Sequence, residues 1–282
     1  MVYLKHSIMQ ITDTKNNKGN QSLLFSLTFP NINPIALSMG PITIHWYGIA
    51  YVTGILLGYQ LAKKIILKIN LSINLSDLVS NIILGIIIGG RLGYVLFYDP
   101  QFYASNPLDI FAIWKGGMSF HGGALGAFAA TIMTCKKNNT SIHKGLDLLA
   151  ICATPGLFFG RIANFINGEL YGRVTSAPWG MVFPGGGSMP RHPSQIYEAT
   201  LEGLCLFIIL WAILNCFYKE GRLFSTFVIG YGIIRFLVEF TRAPDTHLGL
   251  FALNLSMGQY LSIAMIILGG FWTYGRNKKL LY

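Results

Sequence analysis

The sequence predicts an all-α integral membrane protein with a bundle of seven transmembrane helices. Of its 282 residues, 52% are hydrophobic and only 11% are charged, whereas a soluble protein carries roughly 25% charged residues. A hydrocarbon core about 30 Å thick needs roughly 20 mostly apolar helical residues to cross it. Seven windows approach that requirement, at residues 42–62, 78–98, 118–135, 146–166, 197–217, 223–240 and 257–274.

Basic residues alternate between the loops that follow these windows. They cluster after the first, third, fifth and seventh windows, at Lys63, Lys64, Lys68, Lys136, Lys137, Lys144, Lys219, Arg222, Arg276, Lys278 and Lys279. Because positively charged loops stay on the cytoplasmic side, the pattern predicts an outward N-terminus and an inward C-terminus. The net charge of +10 therefore reflects membrane orientation more than nucleic-acid binding. Nucleic-acid binding is not expected, because no basic run is interleaved with aromatic residues.

The regions outside the windows complete the predicted organisation. Residues 1–30 are polar and rich in Asn, Lys and Ser, so we expect a disordered N-terminal extension or a start codon assigned too far upstream. The apolar stretch SLLFSLTF within them is too short for a signal peptide. Residues 31–282 are predicted to form the transmembrane domain, with an outward-facing loop at 167–196. No metal or cofactor is expected, because the sequence lacks a ligand-spaced cluster of His, Cys or carboxylate residues.

Glycines inside the windows predict close helix packing. Three pairs stand four residues apart: Gly85 with Gly89, Gly122 with Gly126, and Gly156 with Gly160. Each pair lines one face of a helix and lets a neighbouring backbone approach closely.

Charged side chains inside the windows are the strongest indication of a functional site. Arg91, Arg161, Arg235 and Glu239 lie there, and an arginine near the membrane centre costs about 2.5–3.5 kcal/mol even on lenient insertion scales. In the predicted topology the arginines fall in the outer halves of outward-running helices. Three polar residues fall near the outer starts of inward-running helices: His45, Tyr47 and His121. We therefore expect one polar site near the outer surface, the alternative being arginines that snorkel to the headgroups.

Spacing sharpens this expectation in the sixth window. Tyr231, Arg235, Glu239 and Arg242 are separated by four, four and three residues, which places them on one helix face. Either Glu239 only neutralises Arg235 in an internal salt bridge, or it orients Arg235 within an anion site.

The stretch GRIANFINGELYGR at 160–173 supplies a second set of polar groups. Arg161 and Asn164 share a helix face, and the glycine-bearing loop that follows can fold back over them. Arginine presents a planar fork that suits phosphate oxygens. Two such forks in a common cavity predict a phosphoryl headgroup as the ligand.

Seven motifs occur in order along the chain: HWYG at 45–48, GGRLGYVLFY at 89–98, GGMSFHGG at 116–123, GRIANFINGELYGR at 160–173, RHPSQIYEA at 191–199, GYGIIRFLVEFTRAPD at 230–245 and SMGQYLS at 256–262. Together they closely resemble the prolipoprotein diacylglyceryl transferase family, from about residue 29 to the end. The N-terminal tail has no counterpart in the usual family pattern. Ala163 stands where glycine is also common in the family.

The resemblance implies an enzyme of the bacterial plasma (inner) membrane that needs no cofactor. Such an enzyme transfers the diacylglyceryl group of phosphatidylglycerol to the thiol of the lipobox cysteine of a preprolipoprotein, and it releases sn-glycerol 1-phosphate. This is the first step of lipoprotein maturation. The lipobox cysteine emerges near the outward surface, so an active site on the extracytoplasmic side of the bilayer is expected.

The resemblance also implies that Arg161 and Arg235 are essential. We expect Arg161, helped by Asn164, to hold the headgroup, and Arg235, oriented by Glu239, to stabilise the departing phosphate. His121 is the candidate base for the thiol, since histidine accepts a proton near neutral pH, unless it is a packing histidine bonded to the backbone.

Tyr231 is a further catalytic candidate, and the remaining candidates contribute to substrate binding. Tyr47 and Tyr231 could donate to phosphate or steer the lipid, although interfacial tyrosines are common without such a role. Gly172 would allow close approach of the backbone to the headgroup. Glu169 would either pair with Arg173 or order the loop. Arg242 is a further candidate for binding phosphatidylglycerol, at the end of the charged helix face.

Two other classes of membrane protein also have charged residues within their transmembrane segments. A transporter or channel usually places them near the midplane, often with inverted repeats, whereas here they are predicted at one face and no repeat is evident. Another phospholipid-using transferase would share the anion site without the lipobox acceptor.

Overall fold

A computed structural model describes residues 9–15, 21–243 and 252–279 of the chain. The chain is mostly helical and forms two compact units. The described parts of the first unit lie within residues 1–58, 153–212 and 225–282, and the second unit comprises residues 59–152 and 213–224.

Each of the seven predicted windows overlaps a helix. The helices are α1 Trp46–Lys68, α2 Leu75–Phe97, α3 Pro100–Ser105, α4 Phe120–Lys137, α5 Ile142–Ile166, α6 Ser194–Glu198, α7 Leu206–Cys216, α8 Arg222–Val238 and α9 Met257–Lys279. A π-helical segment, Ala199–Cys205, joins α6 to α7 without a break. Within the described ranges, four helical segments are long and apolar enough to cross a membrane by length and composition: α1, α2, α5 and Ser194–Cys216.

The prediction of an all-α fold misses two small sheets. Strand β1, Met9–Lys15, pairs antiparallel with β2, Gln21–Thr28, and β2 pairs parallel with β5, Met181–Val182. A second sheet is the hairpin of β3, Ile35–Met39, and β4, Ile42–His45. Its two-residue turn contains Gly40 at φ 60°, a left-handed conformation that glycine adopts without penalty.

The hairpin also corrects the first predicted window. Hydropathy predicts a helix at residues 42–45, but the three consecutive β-branched residues Ile42, Thr43 and Ile44 lie in β4, and α1 begins at Trp46. Hydropathy alone does not distinguish a short apolar strand from a helix.

The strands β1 and β2 lie where the sequence predicted a disordered extension. The end of β2 is anchored to the first unit, because Leu27 N donates to Gly180 O at 2.8 Å. The adjacent Phe29 ring lies 5.3 Å from the ring of Phe165 and 5.1 Å from that of Phe183. These contacts join the last residues of the predicted extension, 27–29, to the first unit. Residues 1–8 and 16–20 of the predicted extension lie outside the described residues.

In the second unit, α2 packs closely against α4 through glycines, which confirms the packing predicted for two of the three pairs. A Cβ added to Gly126 would lie 1.9 Å from Gly85 O, and one added to Gly122 would lie 2.2 Å from Gly89 O. The two backbones are therefore in direct contact.

In the first unit, glycines bring the helices around the polar residues together. A Cβ on Gly54 of α1 would lie 2.9 Å from Gly156 Cα of α5, whereas one on Gly160 would meet nothing within 4 Å. A Cβ on Gly203 of the π-helical segment would lie 2.7 Å from Phe158 Cβ of α5. These contacts hold α5 against the π-helical segment, and both carry charged side chains.

Candidate anion-binding site

Three arginines converge on one glutamate within the first unit. Glu198 lies at the end of α6, and none of its side chain is exposed. Its Oε2 lies 2.9 Å from Arg161 Nε, an ion pair by distance that lacks the alignment of a hydrogen bond. Its Oε1 accepts hydrogen bonds from Arg235 Nη1 at 2.8 Å and from Arg242 Nη1 at 3.1 Å. The single carboxylate therefore holds three guanidinium groups together.

Two further glutamates complete this group, which we call the arginine–glutamate cluster: Arg161, Arg235, Arg242, Glu198, Glu202 and Glu239. Glu239 Oε2 lies 2.8 Å from Arg235 Nη2, at the i,i+4 spacing of the sequence. The oxygens of Glu202 lie 3.6 Å from Arg161 Nη2 and 3.7 Å from Arg235 Nη1. The guanidinium groups carry three positive charges and the carboxylates carry three negative charges when all are ionised.

Local structure explains why these side chains meet. Glu198 and Glu202 are four residues apart and project from neighbouring turns of one helical segment. Glu239 needs a glycine opposite it, because a Cβ on Gly258, near the start of α9, would lie 2.9 Å from the Glu239 carboxyl carbon. The arginine side chains are 11–18% exposed and the glutamate side chains 0–7%, so the glutamates are the more deeply buried partners.

A second polar network lies in the same unit. The Tyr47 hydroxyl donates to Glu169 Oε1, and Asn164 Nδ2 donates to both the Tyr47 hydroxyl and Glu169 Oε1. Glu169 was expected either to pair with Arg173 or to order the loop, and these contacts fit the second alternative. Arg173 is engaged elsewhere, since its Nε donates to Arg242 O at 2.8 Å.

The loop after α5 is tied to the chain that follows α8. Gly172 N donates to His192 O at 2.8 Å, and Arg173 N donates to Thr241 O at 2.8 Å. A Cβ on Gly172 would lie 2.4 Å from Thr241 O, so no larger residue fits at this position. Glycine here keeps the loop beside Arg242.

Burial also affects His192 in this loop, which lies outside the membrane-capable helices. Desolvation lowers the pKa of His192 below its ordinary value, which favours the neutral ring at pH 7. Its Nδ1 lies 3.2 Å from the hydroxyl of Tyr197.

Tyr231 and His121 lie in different units. Tyr231 is buried one turn before Arg235 in the first unit and interacts electrostatically with Glu202, Arg235 and Arg161. His121 is the second residue of α4 in the second unit, and its ring packs edge-on against Phe120 with centroids 5.7 Å apart. Its role as a base therefore stays a prediction.

Arg91 was predicted to share one polar site with the other arginines of the apolar windows. In the structure it has a structural role in the second unit. Its guanidinium donates to the carbonyl oxygens of Asp109, Ile110 and Gly116 at 2.5–2.8 Å. These bonds tie the irregular segment after α3 to α2.

Sequence reasoning missed Glu198 and Glu202. Both lie at the start of the fifth apolar window, and Glu198 is part of the motif RHPSQIYEA. An ionisable residue inside a predicted span is a functional candidate by default. The signal was therefore present in the sequence, at the same i,i+4 spacing that singled out Arg235 and Glu239.

The fold and the cluster define a mostly helical protein that has membrane-capable helices and a buried group of three arginines and three glutamates. A family model described as prolipoprotein diacylglyceryl transferase matches residues 34–274. The chain therefore belongs to the prolipoprotein diacylglyceryl transferase family, as the motifs predicted.

Curated relatives carry the name phosphatidylglycerol–prolipoprotein diacylglyceryl transferase. The protein of Rhodospirillum rubrum is 47% identical over 255 residues, which cover 88% of this chain and 93% of the relative. That of Wolbachia pipientis is 50% identical over 245 residues, covering 85% and 93%. That of Bordetella parapertussis is 48% identical over 248 residues, covering 86% and 95%. The similarity thus extends over nearly the full length of each relative.

Proposed function

We propose that this chain transfers the diacylglyceryl group of phosphatidylglycerol to the lipobox cysteine of preprolipoproteins, releasing sn-glycerol 1-phosphate. The names of the relatives support both substrates. The convergence of Arg161, Arg235 and Arg242 on Glu198 carries the proposal structurally, because a phosphodiester headgroup needs a preorganised set of guanidinium donors.

The proposed chemistry is a displacement at carbon. The cysteine sulfur attacks the glyceryl carbon that is ester-linked to phosphate, so that a C–S bond forms as the C–O bond breaks. The electron pair of the broken bond stays on the phosphate oxygen, whose charge grows in the transition state. The thiol must first lose its proton, since a free cysteine has a pKa of about 8.5.

We assign Arg161, with Asn164, to holding the headgroup and Arg235 to stabilising the departing phosphate. Glu239 and Glu198 both lie 2.8 Å from Arg235 nitrogens, which supports an orienting role for the two carboxylates. His121 is assigned to accept the thiol proton.

The other predicted residues act on the substrate or the loop. Tyr47, through Asn164 and Glu169, orders the start of the loop beside the headgroup. Tyr231 and Arg242 supply further donors. Gly172 lets the loop backbone approach, in addition to its packing requirement.

For topology we propose seven membrane-spanning helices, formed by residues 31–282, with the N-terminus outside and the C-terminus inside. The loop at 167–196 would face the extracytoplasmic side of the bacterial inner membrane. The basic residues in the C-terminal turns of α1, α4 and α9 and after α7 support this orientation, because positive helix ends and loops remain cytoplasmic.

Incubation of the purified protein with labelled phosphatidylglycerol and a lipobox peptide tests the activity. Labelled peptide is expected, and a peptide with serine in place of cysteine should receive no lipid. A lipid product that forms without peptide would favour a different phospholipid transferase, and no product of either kind would favour a transporter.

The variants Arg161→Ala and Arg235→Ala test the site. Each should abolish transfer while membrane insertion, measured by membrane fractionation, stays normal. Near-normal activity in either variant would remove that arginine from the mechanism.

A further inference from the structure

Glu202 is the most poorly compensated charge in the arginine–glutamate cluster. None of its side chain is exposed, and neither carboxylate oxygen has a hydrogen bond among the described residues. Its nearest cations lie 3.6 and 3.7 Å away, beyond hydrogen-bond distance. An ionised carboxylate in such a position is costly, because burial penalises charge unless hydrogen bonds replace water.

The charge of the cluster changes when an anion binds. The six side chains sum to zero when all are ionised, so a phosphodiester headgroup would leave one excess negative charge. The headgroup would also compete for the guanidinium donors that now balance the carboxylates. Uptake of one proton restores neutrality.

The contacts single out the carboxylate that would take this proton. Glu198 accepts two aligned hydrogen bonds, and Glu239 lies 2.8 Å from a guanidinium nitrogen, so ionisation of both is favoured. Glu202 is acted on by Arg161 from α5, by Tyr231 and Arg235 from α8, by Arg242 beyond α8 and by Glu198 on its own helix. It has the longest ion-pair distances of the three glutamates.

We propose that Glu202 takes up a proton from water when a phosphate headgroup binds, and that its neutral carboxyl then donates a hydrogen bond within the site. This inference rests on the proposed function, which supplies phosphatidylglycerol as the headgroup. Glu202 thereby acts as a specificity-determining residue, since a ligand without negative charge would gain nothing from the proton. The proton returns to water when the phosphate product leaves.

The affinity for phosphatidylglycerol should then depend on pH. The dissociation constant of the detergent-solubilised full chain is measured between about pH 5.5 and 8.5, where the lipid phosphodiester itself does not titrate. Binding linked to uptake of one proton weakens with rising pH, by at most about tenfold per pH unit. Direct measurement in weak buffer should show up to one proton taken up per lipid bound.

The variant Glu202→Gln is permanently neutral and keeps the shape of the side chain. Its dissociation constant should be independent of pH and about tenfold lower than that of the wild type at the alkaline end. The matched control is Glu220→Gln, the same change at an exposed carboxylate of the second unit, which should keep the wild-type pH dependence.

Two results would overturn the inference: pH-independent binding by the wild type without proton uptake, or a wild-type pH dependence in Glu202→Gln. The proton measurement needs only the wild type, so it decides the question even if the variant does not fold. Transfer to the lipobox peptide is assayed in parallel. Transfer without proton uptake refutes the role of Glu202 alone, whereas absence of both lipid binding and transfer refutes the proposed function.

Discussion

Arg235 shows how much of the candidate site depends on the shape of one side chain. Its Nη1 contacts Glu198 and its Nη2 contacts Glu239, both at 2.8 Å. A planar fork can satisfy two carboxylates and still direct an edge toward an anion, whereas an ammonium group is a single point charge. The geometry of the fork should therefore matter in addition to its charge.

Arg235→Lys tests this point because it preserves the charge. The lysine can reach one carboxylate, so at least one charge-assisted hydrogen bond, worth roughly 1.5–3 kcal/mol, is lost. We expect kcat/KM for transfer to fall about 10- to 100-fold, as measured with labelled phosphatidylglycerol and peptide. Arg222→Lys, at a half-buried arginine of the second unit that donates to Phe217 O, is the control and should retain normal activity. More than half of wild-type activity in Arg235→Lys would contradict the prediction.

Residue-level prediction from sequence succeeded where the partners are close in the chain. The spacing of Arg235 and Glu239 predicted their contact, which an N–O distance of 2.8 Å confirms. Tyr47 and Glu169 are 122 residues apart, and no local period relates them. Their contact depends on tertiary structure, so sequence patterns alone could not predict it.

Among the elements, α2 and α4 show the strictest packing requirement. Gly85, Gly89, Gly122 and Gly126 bring the two backbones into contact. In a membrane, close approach replaces the hydrophobic effect as the source of helix association, because lipid tails are as apolar as the side chains. The small residues at this interface should therefore be important for stability.

Gly126→Ala should destabilise the protein by about 1–3 kcal/mol. The added methyl group would lie 1.9 Å from Gly85 O, a backbone atom that can yield only if the helices separate. Thermal unfolding in detergent measures the effect. The control is Gly270→Ala in α9, where a Cβ meets nothing within 4 Å and alanine should stabilise the helix by about 0.5–1 kcal/mol. Equal unfolding temperatures for the two variants would refute the packing argument.

At the scale of elements, hydropathy located a helix in every predicted window but misplaced some ends. The first helix starts at Trp46, four residues later than predicted, because the hairpin turn at Gly40 pairs 42–45 with β3. The strands β1 and β2 were not predicted, because the pairing of β2 with β5 joins residues more than 150 positions apart in the chain. Amino-acid composition predicts neither turn geometry nor contacts between residues that are far apart in the chain.

For the whole molecule, the proposed orientation follows from one property of the sequence. Basic residues lie in the C-terminal turns of α1, α4 and the last helix and in the connection after α7, and they are sparse in the intervening loops. The proposed function requires the same orientation, since a lipobox cysteine delivered across the membrane would meet the arginines from outside. The charge pattern and the proposed chemistry are separate arguments, so an experiment that fixes the orientation also tests the proposed function.

Single-cysteine labelling tests this orientation. The four native cysteines are first replaced: Cys135, Cys152, Cys205 and Cys216. Ser188→Cys, exposed in the loop at 167–196, should react with a membrane-impermeant maleimide in intact spheroplasts. Lys136→Cys, exposed at the basic end of α4, should react only after permeabilisation. The reverse pattern would place the loop in the cytoplasm and would exclude the proposed route of the lipobox cysteine to Arg161 and Arg235.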